Sequence, residues 1–356
     1  MANLLITGGA GFIGGNFVHY WRARHPDDPI VVLDSLTYAG HPETIAEVPG
    51  CTLVVGDICD TKLVETLLRE REVDTLVNFA AESHVDRSID APDAFIQTNL
   101  VGTASLLKAA QQVWLGVEGF GASGKPHRFH HVSTDEVYGS LGPDDPPFSE
   151  TTPHAPNSPY AASKSGSDQL VRAWHKTFGL AVTTSNCSNN YGPYQFPEKL
   201  IPLFLMNALS NKVLPVYGDG MNVRDWLHVE DHCRGIELVL DKGRVGETYN
   251  LGGGAEMANL DLVKELCGWV DQAFADNPAL KERFPFAPAA RGEETLGLMR
   301  FVEDRKGHDR RYAIDESKAR EELGYASERD FKGGLASTLE WYLANEDWWL
   351  PLLEGN

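Results

Sequence analysis

Short, mostly apolar runs alternate with segments of helical periodicity along the first half of the chain. Leu4–Thr7 is such a run, and it ends in a glycine-rich turn before a helical pattern that continues through Trp21. The same alternation predicts strands over 30–33, 52–55, 75–79, 128–133 and 181–185, and helices over 62–71, 92–113 and 159–178. Strands that alternate with helices form a parallel, doubly wound sheet with helices on both faces, so the pattern predicts an α/β fold.

The pattern loosens from about Tyr191 onward, where proline and glycine are frequent and the apolar runs are shorter. The stretch from Ala275 to Gly297 is rich in Pro, Ala and Glu without a clear period, and we predict a surface loop or an irregular segment there. Residues 1–190 are expected to form the sheet domain, with parts of the later chain returning to it. Residues 191–356 are expected to form mainly a smaller α+β lobe.

The composition is that of an ordinary globular protein, but the charge is strongly acidic. The 51 acidic and 31 basic residues give a formal net charge of −20, which argues against a nucleic-acid surface and a polybasic membrane anchor. No apolar run is long enough to span a bilayer, and the turn at Gly8 interrupts any apolar region of signal length. Five scattered cysteines without a Cys-x-x-Cys pair favour free thiols, so we predict a cytoplasmic protein.

A glycine-rich loop directly follows the first predicted strand and opens the first predicted helix. Its sequence, Gly8-Gly9-Ala10-Gly11-Phe12-Ile13-Gly14, permits a tight turn and lets the backbone approach a pyrophosphate, whose charge the helix N-terminus stabilises. Asp34 ends the second strand, twenty residues beyond Gly14. A carboxylate there accepts hydrogen bonds from a ribose 2′-hydroxyl and repels a 2′-phosphate, which predicts NAD rather than NADP in a Rossmann-type domain.

Two groups of reactive side chains follow in the sheet domain. Tyr160 and Lys164 lie four residues apart in a predicted helix, so both side chains share one face. A lysine ammonium near a phenol favours the phenolate and lowers its pKa, which makes a base for a sugar hydroxyl. Thr134, Asp135 and Glu136 follow the strand 128–133, at the end of a parallel sheet where ligands bind. Adjacent carboxylates in a closed site repel each other, so one is expected to hold its proton at neutral pH.

Several segments together resemble one group of enzymes. The loop 8–14, the Tyr160/Lys164 pair and Asn99 are similar to the extended short-chain dehydrogenase/reductase family. The strings at 80–88, 133–139, 187–201 and 224–226 resemble the dTDP-glucose 4,6-dehydratases of that family, and the resemblance covers nearly the whole chain. Its most specific element is Thr134-Asp135-Glu136. Related 4-epimerases lack the Asp-Glu pair, and GDP-mannose dehydratases and UDP-glucuronate decarboxylases carry Ser-Glu there.

The resemblance implies a lyase mechanism in which NAD is reduced and regenerated within one turnover. Tyr160 would remove the O4 proton of dTDP-glucose while the C4 hydride goes to NAD. Thr134 would hold the C4 oxygen. Lys164 would lower the pKa of Tyr160 and bind the nicotinamide ribose. Glu136 would take the C5 proton, Asp135 would protonate the leaving C6 hydroxyl, and the hydride would return to C6. The product would be dTDP-4-keto-6-deoxyglucose, an intermediate of deoxysugar biosynthesis.

The predicted NAD site combines the glycine-rich loop, the acidic end of the second strand and residues that follow later strands. Its members are Gly8, Gly11, Phe12, Ile13, Gly14, Asp34, Ser35, Leu36, Thr37, Asp57, Ile58, Phe79, Ala80, Ala81, Ser83, Thr98, Tyr160, Lys164 and Asn190. Thr98 and Asn190 rest on the resemblance. Asp57 and Ile58 are expected to flank the adenine, although an aspartate after a strand is also a common helix cap.

The resemblance also implies a nucleotide-sugar pocket in the second half of the chain. Its members would be Ser83, Thr134, Asn189, Lys199, Leu200, Pro215, Val216, Tyr217, Arg224, Asn259, Asp304, Arg305, Lys306, Gly307 and His308. Arg224 and Arg305 can pair bidentately with a diphosphate, and Tyr217 can contact a base. Two features depart from the family: Lys306 stands where proline is usual, and the segment 275–301 is longer than in typical members. Thymidine and uridine therefore both stay open as the base.

Other functions on the same scaffold stay open as well. An NAD-dependent nucleotide-sugar 4-epimerase or decarboxylase is one, and a catalytically silent NAD-binding scaffold is another; Asp135-Glu136 counts against the first and the intact Tyr160/Lys164 pair against the second. His130 and His131 are adjacent in a strand, so their rings point to opposite faces, and we predict no metal site. The helices 92–113 and 159–178 resemble the pair that forms a four-helix interface in the family, which predicts a homodimer.

Overall fold

A seven-stranded parallel sheet forms the centre of the protein. The computed structural model describes residues 2–116 and 126–354. The sheet has the order β10-β6-β5-β4-β1-β2-β3, and every neighbouring pair is parallel. Its strands are β1 (Leu4–Thr7), β2 (Ile30–Asp34), β3 (Cys51–Val55), β4 (Thr75–Asn78), β5 (Arg128–Thr134), β6 (Val182–Cys187) and β10 (Thr248–Leu251). The predicted doubly wound α/β fold is confirmed, and the first six strands lie within two residues of their predicted ends.

Helices cover both faces of this sheet. In the first half of the chain they are α1 (Phe12–Arg24), α2 (Thr61–Glu70), α3 (Val85–Asp90), α4 (Pro92–Phe95), α5 (Thr103–Ala110) and α6 (Pro159–Phe178). The predicted helix 92–113 is interrupted by two π-helical stretches, Ile96–Gly102 and Gln111–Leu115. The side chains of Asp60 and Ser158 cap α2 and α6 by accepting hydrogen bonds from backbone N–H groups of their first turns.

The period-two alternation of the strands divides the apolar side chains between two cores. Leu4 and Ile6 of β1 face one layer, where they pack with Phe17 of α1. Leu5 faces the other, where Leu67 of α2 and Leu107 of α5 cover it. Because both faces are buried, these strands appear in the sequence as continuous apolar runs.

The second half of the chain forms a smaller lobe and also returns to the sheet. The helices of the lobe are α7 (Leu200–Leu209), α9 (Asn259–Asp276), α10 (Ala279–Arg283), α12 (Phe331–Ala344) and α13 (Glu346–Glu354). Its strands form a mixed sheet of β11 (Glu256–Ala258), β9 (Val223–His228) and β7 (Asn189–Tyr191), and a separate parallel pair of β8 (Leu214–Tyr217) and β12 (Met299–Val302). Three later elements return: β10 pairs with β6, and α8 (Val229–Lys242) and α11 (Ser317–Leu323) join the core on the α1 side.

Of the two alternatives predicted for the stretch from Ala275 to Gly297, the surface loop is wrong, because the stretch packs against the small lobe. It contains α10 and two short 3₁₀ helices, Pro288–Arg291 and Thr295–Leu298. Leu280 and Phe284 are buried in the core of the small lobe. The elements are four or five residues long, which is too short for an apolar period to appear in the sequence. Tertiary packing rather than local periodicity orders the segment.

Within residues 2–116 and 126–354, no helix combines the length and the apolar character that a membrane crossing requires.

Candidate active site

A large cavity opens at the carboxyl ends of the central strands. The glycine-rich loop after β1 and the loops after β2, β3, β4 and β5 line it, together with the start of α6 and the segment that leads from β6 to α7. This is the edge at which parallel sheets bind their ligands, because the strands end there and the helix N-termini point toward it.

Backbone atoms leave no room for a side chain at Gly8 and Gly14 of the glycine-rich loop. Gly8 adopts a φ of 69°, and a Cβ atom on it would lie 2.7 Å from the backbone nitrogen of Ala80. A Cβ atom on Gly14 would lie 2.3 Å from the carbonyl oxygen of Gly8. Gly11 is the N-cap of α1 and offers no side-chain acceptor. The first backbone N–H groups of α1 can therefore donate to a phosphate in the cavity.

Asp34 is held at the edge of this loop. Its Oδ2 accepts a hydrogen bond of 2.9 Å from the backbone N–H of Ala10, and its Oδ1 accepts one of 2.9 Å from that of Leu36. Burial raises the pKa of the carboxyl group, and the two backbone donors oppose that shift. Two bonds leave further lone pairs of a carboxylate unused. The geometry therefore suits a ribose with two hydroxyl donors better than a ribose phosphate.

Nearly all residues predicted for NAD line the cavity. The exception is Leu36, which adopts a positive φ of 50° beside Asp34 and lies outside the cavity lining, whereas Ser35 and Thr37 belong to it. Asp57 lines the cavity and accepts a hydrogen bond from the backbone N–H of Cys59, while the cap of α2 is Asp60. The alternative interpretation of Asp57 as the helix cap is therefore wrong.

All five residues predicted for catalysis line the same cavity. Tyr160 and Lys164 lie on successive turns at the start of α6, and the Lys164 ammonium donates a hydrogen bond of 2.8 Å to the carbonyl oxygen of Val132 on β5. Thr134 ends β5, and its hydroxyl accepts a hydrogen bond from the backbone N–H of Glu136. Asp135 and Glu136 begin a short 3₁₀ helix that starts where β5 ends.

The pKa of Tyr160 is raised, which differs from the depression expected beside Lys164. Burial is the largest cause, followed by the negative charge of Glu136, and the Thr134 hydroxyl opposes the shift. Burial also lowers the pKa of Lys164. A phenol becomes a base at this position only when positive charge enters the cavity beside it, because desolvation alone favours its neutral form.

Asp135 is the carboxyl group of the pair whose surroundings favour the protonated form more strongly. It is 1% exposed, its Oδ2 has no hydrogen-bond partner among the described residues, and its pKa is raised well above the usual range by burial and then by the charge of Glu136. Burial raises the pKa of Glu136 as well, but the nearby cations Arg224 and Lys199 oppose that shift. The pair thus combines one proton donor with one carboxylate that can accept a proton.

Asp135→Asn is expected to stabilise the fold in a pH-dependent manner. A carboxyl group whose pKa is raised on folding supports the fold below its unfolded pKa, and that support is lost as pH rises through the folded pKa. The free energy of unfolding of the variant should therefore exceed that of the parent by about 1 kcal/mol or more above neutral pH, and by less at pH 5. Urea titrations at both pH values measure the difference.

The matched control for this prediction is Asp219→Asn. It removes an exposed carboxylate whose pKa is lowered by its hydrogen bond from Arg310, so no gain that grows with pH is expected. A constant difference between Asp135→Asn and the parent across the pH range would contradict the raised pKa of Asp135.

Only part of the predicted substrate pocket lies in the cavity lining. Ser83, Thr134, Asn189 and Lys199 line it, and the Lys199 ammonium donates to the carbonyl oxygen of Ser83 at 3.1 Å. Leu200 and Val216 instead pack into the core of the small lobe. The alternation of β8 explains the second case, since it turns Val216 inward and leaves Tyr217 exposed.

The remaining substrate residues form a polar cluster next to the cavity. The Arg305 guanidinium makes a two-point ion pair with Asp86 and lies 5.2 Å from the ring centre of Tyr217. Tyr217 also contacts His308, which pairs with Asp304 at 2.6 Å. Lys306 and Gly307 are exposed beside them, and Pro215 lies two residues before Tyr217 on the same face of β8.

Arg224 lies on the inner side of this cluster. It is 7% exposed, lies 4.2 Å from the ring centre of Tyr312 and donates to the carbonyl oxygen of Asp309 at 2.9 Å. The Oδ1 atoms of Asn189 and Asn259 are buried without a hydrogen-bond partner among the described residues. Such acceptors fit a hydroxyl-rich ligand that donates to them.

Sequence reasoning missed several residues that line the cavity. Glu82 follows β4, Cys187 ends β6 and Ser188 follows it. Gln195, Phe196 and Glu198 lie on the segment that leads into α7. The position of Cys187 at the carboxyl end of a parallel strand was the available signal. The segment 195–198 carries no such signal, because tertiary packing alone brings it over the cavity.

The two adjacent histidines of β5 point to opposite faces of the sheet. His130 contacts the hydroxyl groups of Thr183 and Ser185, at 3.0 Å each, and His131 contacts Asn78 and Asp168. Among the described residues, no group of three or more His, Cys, Asp or Glu side chains is arranged to hold a metal ion.

Comparison with known proteins gives consistent relatives over the full chain. The sequence model of the GDP-mannose 4,6 dehydratase family matches residues 5–338. The chain is 52% identical over 359 residues to a dTDP-glucose 4,6-dehydratase of Xanthomonas campestris pv. campestris (strain B100), covering 100% of this chain and 97% of that protein.

Two solved structures of dTDP-glucose 4,6-dehydratases have the same fold. That of Streptomyces venezuelae, with NAD and TYD bound, has a TM-score of 0.85 at 48% identity and covers 98% of this chain and 99% of its own. That of Bacillus anthracis, in complex with NAD, has a TM-score of 0.82 at 43% identity and covers 99% and 100%. The chain therefore belongs to the family of nucleotide-sugar 4,6-dehydratases described as GDP-mannose 4,6 dehydratase, and within it to the group of the dTDP-glucose 4,6-dehydratases.

Proposed function

We propose that the protein is an NAD-dependent hydro-lyase that converts dTDP-glucose into dTDP-4-keto-6-deoxyglucose. The observation that carries this proposal is the meeting of Tyr160 with Asp135 and Glu136 in one cavity. A base for a hydroxyl, a buried carboxylic acid and a carboxylate between cations are the three proton-transfer groups that oxidation followed by loss of water requires. An epimerase needs the first group alone.

The residues around the glycine-rich loop fit NAD. The free N–H groups at the start of α1 suit its pyrophosphate, Asp34 suits the hydroxyls of its adenosine ribose, and Lys164 suits the nicotinamide ribose. NAD supplies, when bound, the acceptor for the C4 hydride and the donor that returns the hydride to C6. Its positive nicotinamide ring is also the charge that the buried phenol of Tyr160 needs to ionise.

Tyr160 takes the proton from O4 in the first step. Thr134, whose hydroxyl lies beside Asp135 at 3.3 Å, holds the same oxygen. Lys164 orients the start of α6 through its bond to Val132 and keeps a positive charge near the phenolate. These groups favour the 4-keto sugar, in which the C5 proton is acidic.

Glu136 and Asp135 divide the second step between them. Glu136 accepts the C5 proton, and Asp135 donates its proton to the C6 hydroxyl, so that water leaves across the C5–C6 bond. Glu136 then returns a proton to C5. The proton gained by Tyr160 and the proton lost by Asp135 balance through solvent, and the net change is the loss of one water.

The polar cluster beside the cavity supports a nucleoside diphosphate as the rest of the substrate. Arg224 and Arg305 supply two guanidinium groups for the diphosphate, and Tyr217 supplies an aromatic ring for the base. The thymidine preference rests on the relatives, because an aromatic ring beside the base does not distinguish thymine from uracil. Competition between dTDP-glucose and UDP-glucose in one reaction measures it.

The test is incubation of the protein with dTDP-glucose in heavy water, followed by mass spectrometry of the product. Loss of one water with one solvent deuterium at C5 is the expected result. A C4 epimer or released carbon dioxide in place of a keto sugar would overturn the proposal. Tight binding of NAD without turnover of dTDP-glucose or UDP-glucose would favour a silent scaffold.

A homodimer is part of the proposal. Ile96 and Val101, on the helical stretch before α5, and Phe178, at the end of α6, are 48%, 42% and 46% exposed. Exposed apolar side chains on neighbouring helices fit a partner surface. Light scattering at micromolar concentration is expected to give twice the mass of the chain.

The cysteines carry free thiols, which supports a reducing compartment such as the cytoplasm, and cell fractionation tests that location.

A further inference from the structure

Three successive turns of α6 face β5. Tyr160, Lys164 and Asp168 are spaced four residues apart and share one side of the helix. The Lys164 ammonium donates to the carbonyl oxygen of Val132, and the Asp168 Oδ2 accepts a hydrogen bond of 2.9 Å from the hydroxyl of Ser133. Neighbouring residues of β5 thus bind two successive turns of the helix that carries Tyr160.

A chain of buried polar groups leads from Thr7 to His131, next to the Asp168 carboxylate. Thr7 donates to the Oδ1 of Asn78 at 2.7 Å, so the amide nitrogen of Asn78 points to the Nδ1 of His131 at 3.2 Å. Because Nδ1 accepts there, a neutral His131 carries its proton on Nε2, which faces the Oδ1 of Asp168 at 3.3 Å. The hydroxyl of Ser133 is thus the hydrogen-bond donor to Asp168, whereas the Nε2 of His131 lies close to its Oδ1 without forming a hydrogen bond.

Asp168 lies one turn after Lys164 on the same side of α6 and acts on the buried ammonium through its charge, without a direct ion pair. Lys164 is 4% exposed, and its one hydrogen bond to the residues that the structure describes goes to a neutral carbonyl. Burial lowers the pKa of Lys164, while the charges of Asp168 and then Cys187 oppose that shift. The Cys187 thiol is protonated, because burial raises its pKa. Asp168 is therefore the carboxyl group that opposes the lowering of the Lys164 pKa.

The other titratable groups around Lys164 do not replace Asp168. His131 faces it from β5, and burial and the Lys164 charge lower the pKa of that histidine, which favours its neutral form. Asp135 and Glu136 act on the phenol of Tyr160, one turn earlier. They belong to the side of the cavity where the sugar binds.

We propose that Asp168 is a positioning residue for the oxidation of C4. Its carboxylate keeps Lys164 charged, so that the ammonium stays bound to the carbonyl oxygen of Val132, one helical turn from Tyr160. The inference rests on the proposed function, because Tyr160 is taken to accept the O4 proton. It adds a third residue, one turn beyond Tyr160 and Lys164, that touches neither substrate nor cofactor.

The first test measures the pH profile of C4 oxidation in Asp168→Asn. The probe is dTDP-6-deoxyglucose, which lacks the C6 hydroxyl, so that the reaction stops after oxidation and the absorbance of the reduced cofactor records it. Without the Asp168 charge Lys164 loses its proton at lower pH. The pH at which the rate declines on the alkaline side of the profile should therefore fall by about one unit or more. The rate at pH 8 should be lower than that of the parent by roughly tenfold.

Two further variants separate charge from packing. Asp168→Glu keeps the charge and is expected to restore the position of the alkaline side even if its rate is lower. Ser133→Ala removes a hydrogen bond to the same carboxylate and keeps both charges, so the alkaline side should stay in place. A uniform loss of rate at every pH in Asp168→Asn would mean a purely structural role and would overturn the inference.

The second test does not depend on activity. In Asp168→Asn the folded protein binds fewer protons at Lys164 than the unfolded chain does, so stability rises with pH in this range. The loss of unfolding free energy relative to the parent should thus be largest near pH 7 and shrink toward pH 10. A loss that is constant with pH would contradict the charge role. If the parent itself does not oxidise dTDP-6-deoxyglucose, the proposed function fails, whereas this stability profile still decides the role of Asp168.

Discussion

Tyr160→Phe is expected to lower kcat for dTDP-glucose by about 10²- to 10⁴-fold, the range typical for loss of a general base. The phenylalanine ring keeps the packing of a side chain that is 8% exposed and removes only the hydroxyl that accepts the O4 proton. Because C4 oxidation comes first, both formation of the keto sugar and exchange of the C5 proton with solvent should fall together. Product analysis in heavy water measures both.

Tyr325→Phe is the matched control for this prediction. Tyr325 is also buried, and its hydroxyl donates to the carbonyl oxygen of Gly252, away from the cavity. Its loss should lower stability by about 1 kcal/mol and leave kcat near that of the parent. If Tyr160→Phe retained more than a tenth of the parent rate, another group would have to be the base.

Glu136→Gln is expected to separate the two halves of the reaction. The amide cannot accept the C5 proton, so product formation and C5 exchange should fall by about 10²- to 10⁴-fold. Oxidation of C4 should persist, because Tyr160, Lys164 and Thr134 are intact. The reduced cofactor would then accumulate on the enzyme, and its absorbance after rapid mixing measures the arrest.

Asp135→Asn provides the contrasting result. It removes the proton donor for the C6 hydroxyl but leaves Glu136 as the base, so C5 exchange should continue while loss of water slows. If both variants lost exchange equally, the separate roles assigned to the two carboxyl groups would be wrong.

The pH dependence of the parent should carry the signature of Glu136. Burial raises the pKa of this carboxyl group, although Arg224 and Lys199 oppose the shift. A base is inactive when protonated, so the rate should fall on the acidic side at a pH above the usual carboxyl range. The residual rate of Glu136→Gln should no longer fall at acidic pH. An unchanged profile in this variant would assign the acidic decline to another group.

Local features of the sequence determined most of the fold of the sheet domain. The runs that became β1 and β2 are almost wholly apolar because both faces of the sheet are covered there, and a run of this kind is visible without any knowledge of its neighbours. Gly8 and Gly14 were recognisable because no side chain fits their backbone positions. The spacing of Tyr160 and Lys164 by four residues placed them on one helical face for the same local reason.

Tertiary structure decided what distant segments contribute. Nothing near Arg305 indicates that it pairs with Asp86, and nothing near Lys199 indicates that it reaches Ser83, because these partners are 219 and 116 residues apart. The short elements between Ala275 and Gly297 are ordered by the core that they enter and not by their own periodicity. Such contacts depend on the arrangement of the whole chain.

The chemistry of the cavity shows the same division. The residue types at 134–136 and at 160 and 164 indicated acid and base chemistry from the sequence, since those groups have only a few reactive forms. Which carboxyl group keeps its proton, and that the pKa of Tyr160 rises in the fold, follow from burial by β5, α6 and the lobe. The sequence by itself therefore determined which groups are present in the site, and the tertiary structure decided their protonation, because desolvation and neighbouring charges arise only when distant segments pack together.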